Sequence, residues 1–265
     1  DVPREPLVPR RLGKNMCVPF GKILRGKVVP NTVTKTLHTD KVYEPDLNSF
    51  TIEPFPYYSP LKSQIETIKS FDRPVILVDD LVHTANRLQV LVPQLREDGI
   101  PIKKVVVGVL SGYGRDLMQC LKVPVESIYS MPNLRQWFVE STLYPFIGGD
   151  TVRREEMKVA GLQPSINMIL PYATPRLSGC SREALVEFSA CCIENSRDLF
   201  QVLEAEYRKM YAKNLTLSRL SEAVILPLCP DKGSCMEYDE NLAASVYLEN
   251  DLETLWRMKE FLIKG

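Results

Sequence analysis

Val75-Ile76-Leu77-Val78-Asp79-Asp80-Leu81-Val82-His83-Thr84-Ala85-Asn86-Arg87-Leu88 is the stretch on which the fold turns. Val75 to Val78 is an uninterrupted, largely β-branched apolar run, the character of a strand buried on both faces. The run breaks into two adjacent carboxylates, and helical periodicity begins after a short polar stretch. Asn86, with Gln89 three residues on, has capping-box spacing and predicts a helix start. Asp79 and Asp80 are therefore expected at the carboxyl end of a buried parallel strand, where open α/β sheets place their ligands. The helix beyond them opens with unpaired amides, which favour an anion. Carboxylates for hydroxyls or a metal, followed by amides for an anion, form an order that suits a sugar phosphate.

Downstream, residues 104–110 read as a second buried strand leading into Ser111-Gly112-Tyr113-Gly114-Arg115. A short helix over 115–121 and a third strand over 123–129 follow. This alternation predicts an α/β fold whose parallel sheet is joined by right-handed crossovers. The helix from Asn86 runs to about Glu97 and ends near Gly99, with Pro93 expected to kink or split it. Upstream, Ser59-Pro60 supplies a cap and a first-turn proline for a helix that buries Leu61, Ile65 and Ile68. Residues 31–58 alternate in strand fashion around Glu44-Pro45-Asp46 and Asn48, which predicts an extended hairpin.

Farther on, residues 133–146 read as an aromatic helix and residues 168–172 as a strand that Pro171 ends or confines to an edge. From Ser181 the character turns helical. Leu185, Cys192 and Leu199 recur at seven-residue spacing, as do Val186, Ile193, Phe200 and Tyr207. The stripe reads as core packing. A last helix is expected from Asn250, with Glu253 in the capping-box place. The domain expectation is an α/β domain over 1–175, including the basic amino-terminal segment and the hairpin, and a helical extension or cap over 176–265.

Composition narrows the class. Thirty-three basic and 33 acidic side chains balance, so no global charge points to nucleic acid or a membrane surface. No run approaches the ~18 apolar residues of a membrane helix. The start Asp1-Val2-Pro3 suggests a processed product or a portion of a longer polypeptide. Seven cysteines without framework spacing fit a reduced, cytoplasmic setting, and Cys191-Cys192, Cys229 and Cys235 read as thiols rather than metal ligands. Residues 1–41 carry nine Lys/Arg against three Asp/Glu, and residues 181–265 carry ten against fifteen.

The apolar run, the acidic pair and the Thr-containing loop together resemble the phosphoribosyl-diphosphate (PRPP) loop of type I phosphoribosyltransferases. The resemblance is tight over residues 74–98 and extends to about 20–130. It implies a phosphoribosyltransferase-like α/β core with a β-hairpin hood, followed here by the mainly helical carboxyl-terminal extension. It implies that Asp79 and Asp80 hold the ribose hydroxyls, touching Mg²⁺ through them, and that His83, Thr84, Ala85, Asn86 and Arg87 surround the 5′-phosphate. It further implies that Lys35 and Lys41 of the hairpin act as catalytic cations with the acidic pair, and that Arg25 of Arg25-Gly26-Lys27 contacts the diphosphate. Tyr113 is placed to stack on a base or cover the ribose.

Two positions depart from the family pattern. Ala85 stands where Gly is usual, which strains the backbone if φ is positive there. Arg87 stands where Thr or Ser is usual. It either grips phosphate through a guanidinium or lies outward on the first helical turn. Strand alternation would put Lys35, Leu37, Thr39 and Lys41 on one face and His38 on the other.

The family implies PRPP or a related ribose 5-phosphate as ligand with Mg²⁺, and transfer of phosphoribosyl to a base or amine with release of diphosphate. The alternative is a catalytically silent PRPP- or nucleotide-sensing or interaction module of a larger multidomain protein. A homodimer is compatible with either. Gly148-Gly149-Asp150 with Arg153-Arg154 is a second anion-compatible cluster. A response-regulator receiver is excluded, because the strand ending at Leu110 leads into Ser-Gly-Tyr-Gly and offers no phosphoacceptor.

Overall fold

The structure is a computed structural model that describes residues 13–21, 33–46, 48–55, 58–135, 137, 139–153, 163–175, 179–220, 225–227 and 238–264. In chain order the elements are β1 (Met16–Pro19), β2 (Val33–Thr34), β3 (Thr39–Tyr43), β4 (Phe50–Pro54), α1 (Leu61–Lys69), β5 (Val75–Val82), α2 (Asn86–Glu97), β6 (Ile102–Ser111), α3 (Gly112–Cys120), β7 (Val125–Met131), β8 (Asp150–Val152), β9 (Gln163–Ile166), α4 (Arg182–Tyr211), β10 (Ile225–Pro227) and α5 (Ala244–Lys264). One compact unit comprises Asp1–Lys41 with Ile52–Arg135, and a second comprises Val42–Thr51 with Gln136–Gly265.

The first unit holds a five-stranded sheet in the order β2-β1-β5-β6-β7, parallel at every pairing. From β1 through β5 and β6 to β7 the chain steps in one direction, and from β1 to β2 it steps in the other. Right-handed crossovers then put α1, α2 and α3 on one face. Ile65 and Ile68 of α1, Leu88, Leu91, Val92 and Leu95 of α2, and Met118 of α3 form one cluster with Met16, Val18, Leu77, Val105 and Val107 of the strands. Because the described helices share a face, Val75 and Leu77 are buried whereas Ile76 and Val78 are only half-buried. β5 is therefore not sealed on both sides, as its unbroken apolar run had suggested. α2 continues through Pro93. Its four buried apolar side chains, each worth about 1.5–3 kcal/mol, outweigh the ~3 kcal/mol that an internal proline costs. Gly99, at φ +74°, ends the helix as expected.

The hairpin expectation holds over β3 and β4, which are neighbours in the second sheet. It fails over residues 33–37. There Val33 and Thr34 pair parallel with Met16 and Cys17, and Leu37 bridges to Phe20. Burial of Leu37 in the first core takes this segment away from the hairpin.

In the second unit, Val42 and Tyr43 pair parallel with Thr151 and Val152, β8 pairs antiparallel with β9, and β10 runs parallel to β9. Residues 133–146 hold only a 3₁₀ turn, Glu140–Leu143, among the described positions. Residues 168–172 are turn rather than strand; the strand lies earlier, at β9. α4 begins as expected, with Ser181 Oγ accepting from the Ala184 N–H. It packs against α5 through Leu185, Val186, Ala190, Ile193 and Phe200 facing Leu248, Leu252 and Leu255. Contacts Glu187–Lys259, Gln201–Glu249 and Glu204–Ser245 make the pair antiparallel. α5 starts at Ala244, a turn and a half before the expected Asn250, because Leu248 is already core. Among the described residues no helix is long and apolar enough to cross a membrane.

Candidate functional site

The crossovers change direction between β1 and β5. In open α/β sheets that switch point is where ligands meet the carboxyl ends of the strands. β1 stops pairing with β5 at Pro19↔Val78, whereas β5 continues along β6 through Asp79↔Val107 to Val82↔Leu110. Asp79 and Asp80 thus lie just past the end of β1 while still within β5. Alternation sends them to opposite faces: Asp79 is buried on the helix side and Asp80 is exposed.

Asp79 is held by several groups at once. The Asp80 N–H donates to its Oδ1 at 3.1 Å, and Arg87 Nη1 lies 3.5 Å from the same oxygen. Burial pushes the carboxyl up to about 7; Arg87 opposes that shift and the neighbouring Asp80 adds to it. A buried carboxylate 3.5 Å from a guanidinium would ordinarily ionise well below neutrality. Here the pairing is monodentate and long, so desolvation wins. Asp80 Oδ1 accepts from the Leu81 N–H at 2.7 Å and otherwise faces outward.

Arg87 is neither an outward residue nor a free phosphate ligand. Its guanidinium sits 5.5 Å from the Phe20 ring centroid, and its Nε is buried without a partner. Phe20 supplies this platform from just past the end of β1; its signal in the sequence was an aromatic within the apolar segment around Cys17 to Leu24.

The loop between β5 and α2 carries the strain that an alanine there threatens. Ala85 occupies the position before α2 at φ +50°, ψ +25°, the left-handed region, and its side chain provides no cap. The expected capping box does not form: Asn86 is the first helical residue, and Gln89 Nε2 reaches back to the Thr84 carbonyl at 2.7 Å. The first amides of α2 are consequently without a side-chain cap.

His83 and Tyr113 come together, with ring centroids 5.8 Å apart, and His83 Nδ1 lies 2.8 Å from Ser111 Oγ. Ser111 is buried and its Oγ also accepts from the Gly114 N–H, so it caps α3 and orients the imidazole in one arrangement. The glycines beside it are packing glycines rather than a ligand loop. A Cβ at Gly112 would stand 2.5 Å from the Pro132 carbonyl oxygen, and one at Gly114 would stand 2.2 Å from that of Val82. Tyr113 remains exposed.

The two hairpin lysines part company. Lys35 follows β2 with its side chain exposed and its backbone N–H donating to the Cys17 carbonyl, whereas Lys41 lies within β3. Lys35 and Lys41 therefore do not share one strand face. His38 stacks on Tyr58 at 3.9 Å and is clamped through its backbone by Gln64. Arg25 lies outside the described residues. In the second cluster, Arg153 is tied to Glu44 at 3.0 Å and to Thr51 at 3.1 Å, and a Cβ at Gly149 would meet Ser165. Packing explains both, and Arg154 is outside the described residues.

Among the described residues no group of three or more His, Cys, Asp or Glu side chains could hold a metal ion by itself. Asp80 is the hard oxygen donor open to a cation, with Asp79 engaged beside it. No protein-family model matches the chain, and no curated protein matches it either.

Proposed function

We propose that the crest formed by Asp79, Asp80, His83, Thr84, Ala85, Asn86 and Arg87 binds a phosphorylated ribose, PRPP or a related ribose 5-phosphate, together with Mg²⁺. The observation that carries this reading is the acidic pair at the switch point of a parallel sheet, followed at once by a helix whose first amides lack a side-chain cap. Carboxylates at that point accept from vicinal hydroxyls, and uncapped amides with Arg87 attract the phosphate. Mg²⁺ takes one or two carboxylates plus ligand oxygens, and the exposed Asp80 would supply the carboxylate. When bound, it would neutralise negative charge on the ligand's phosphoryl groups. Tyr113, just past the end of β6, and His83, just past the end of β5, would flank the ribose, and the likeness of residues 74–98 to a phosphoribosyltransferase PRPP loop supports the same ligand.

Sensing without turnover is the reading we prefer over transfer. Arg87 is already engaged by Asp79, Ala85 is held at positive φ, and Lys35 lies outside the strand that carries Lys41. Ligand phosphate would draw Arg87 away and free Asp79 for hydroxyls, which makes binding itself the event. Titration calorimetry with PRPP and Mg²⁺ is the direct test. The wild type should bind, and the double variant Asp79→Asn, Asp80→Asn should lose binding by about two orders of magnitude or more, as removal of charge-assisted bonds predicts. Unchanged affinity in a folded double variant would discard the ribose reading. Diphosphate release with a base or an amine would favour transfer over sensing.

A further inference from the structure

β7 is the outer strand of the first sheet, and among the described residues it pairs only with β6. Natural edge strands are usually blunted by lysine, proline or a bulge, because an open row of N–H and C=O groups recruits another strand. β7 reads Val125-Glu126-Ser127-Ile128-Tyr129-Ser130-Met131, without lysine or proline, and its register with β6 is unbroken apart from the position beside Gly108. Its apolar side chains are open to solvent: Ile128 is 74% exposed, Tyr129 67% and Met131 47%. The Val105 N–H donates to the Pro124 carbonyl, so by the alternation of a parallel ladder Val125, Ser127, Tyr129 and Met131 turn their own backbone groups outward.

We propose that β7 pairs antiparallel with β7 of a second copy of this chain, with Ile128 on the two-fold axis, so that two sheets become one continuous sheet. This register is singled out by the strand itself. It places Ser127 opposite Tyr129 and Val125 opposite Met131 as hydrogen-bonded pairs, the outward-facing residues on both sides. Ile128 meets Ile128, and Glu126 meets Ser130, as the closer non-hydrogen-bonded pairs. Charge complements the pairing. Ser130 Oγ accepts from Arg115 Nη2 at 2.7 Å, so Arg115 of each copy stands where Glu126 of the other arrives. Glu126 already holds Lys104 at 2.6 Å, and the junction would join Lys104, Glu126 and the second copy's Arg115 in one alternating set. No like charges face each other along the strand, because Glu126 is its single charged residue.

The test is oligomeric state, with a register-specific crosslink. Sedimentation of the wild type should give a dimer. Ile128→Lys, which sets two ammonium groups against each other on the axis, should give a monomer with an unchanged circular dichroism spectrum. Ile128→Cys under mild oxidation should yield a disulfide from position 128 to position 128, mapped by mass spectrometry. That link also answers for a lysine variant that fails to fold. A wild type that is monomeric at all concentrations overturns the proposal, whether or not the chain captures an extended peptide of another protein. A dimer that survives Ile128→Lys, or an oxidised dimer without the 128–128 link, overturns it equally.

Discussion

β5 and β6 lie side by side, and each hands the chain to a helix at its carboxyl end, yet the two crossings are built in opposite ways. After β6 there is no loop: Ser111 ends the strand and caps α3 through the Gly114 N–H, and two glycines bring the helix against neighbouring backbone. After β5 the chain takes three residues, passes through a left-handed alanine and enters α2 without a side-chain cap. Strain and unmet donors persist only where surrounding structure enforces them, and such sites concentrate where ligands act. The first crossing is a joint made for packing; the second keeps a strained alanine and a helix start without a side-chain cap. His83 connects them, rising from the open crossing to rest on Ser111 of the closed one.

The largest effect should come from breaking the closed crossing. Gly114→Ala drives a methyl into the Val82 carbonyl, where neither backbone can yield cheaply. A loss of about 3 kcal/mol in urea unfolding is expected. A loss below ~1 kcal/mol would mean that α3 is free to retreat.

The acid at the open crossing should make stability depend on pH in an unusual direction. Asp79 is raised from 3.8 to about 7, so between those values the folded state holds a proton that the unfolded chain has released. Stability should therefore fall as pH rises through that window, by up to about 1.4 kcal/mol per unit from this group. Asp79→Asn should remove this component and leave the variant more stable than the wild type at about pH 8. A wild-type stability that instead rises with pH, with Asp79→Asn flattening that rise and losing stability at neutral pH, would show that Arg87 governs the carboxyl.

The smallest effects sharpen the contrast by their signs. Ser111→Ala should cost about 1 kcal/mol through the lost cap. Ala85→Gly should gain roughly 1 kcal/mol by relieving the left-handed alanine. If both changes destabilise, the loop after β5 is as settled as the one after β6.

Much of the first unit could be read from local pattern. β5 and β6 announce themselves as apolar runs between helical segments, β7 lies within two residues of its expected place, and the turn at Gly99 and the cap at Ser181 sit where expected. The second sheet was legible only in its β3–β4 hairpin, because β8, β9 and β10 are only three or four residues long and are defined by distant partners rather than by periodicity. The segment after β2 misled for a related reason: its alternation suits a hairpin, but Leu37 finds its partners at Phe20 and in the first core.

Sequence alone determined that two carboxylates follow an apolar run and that a helix comes after them, since both rest on covalent order and local periodicity. Whether those carboxylates share one environment was decided by tertiary structure. Strand alternation divides them between two faces, α1, α2 and α3 cover one of these, and burial raises the acid on the covered side while its neighbour stays exposed. The same holds for Arg87 and Ala85. Their identities are written in the chain, but the guanidinium's place between Asp79 and Phe20, and the sign of φ at the alanine, follow from how β1, β5 and α2 meet.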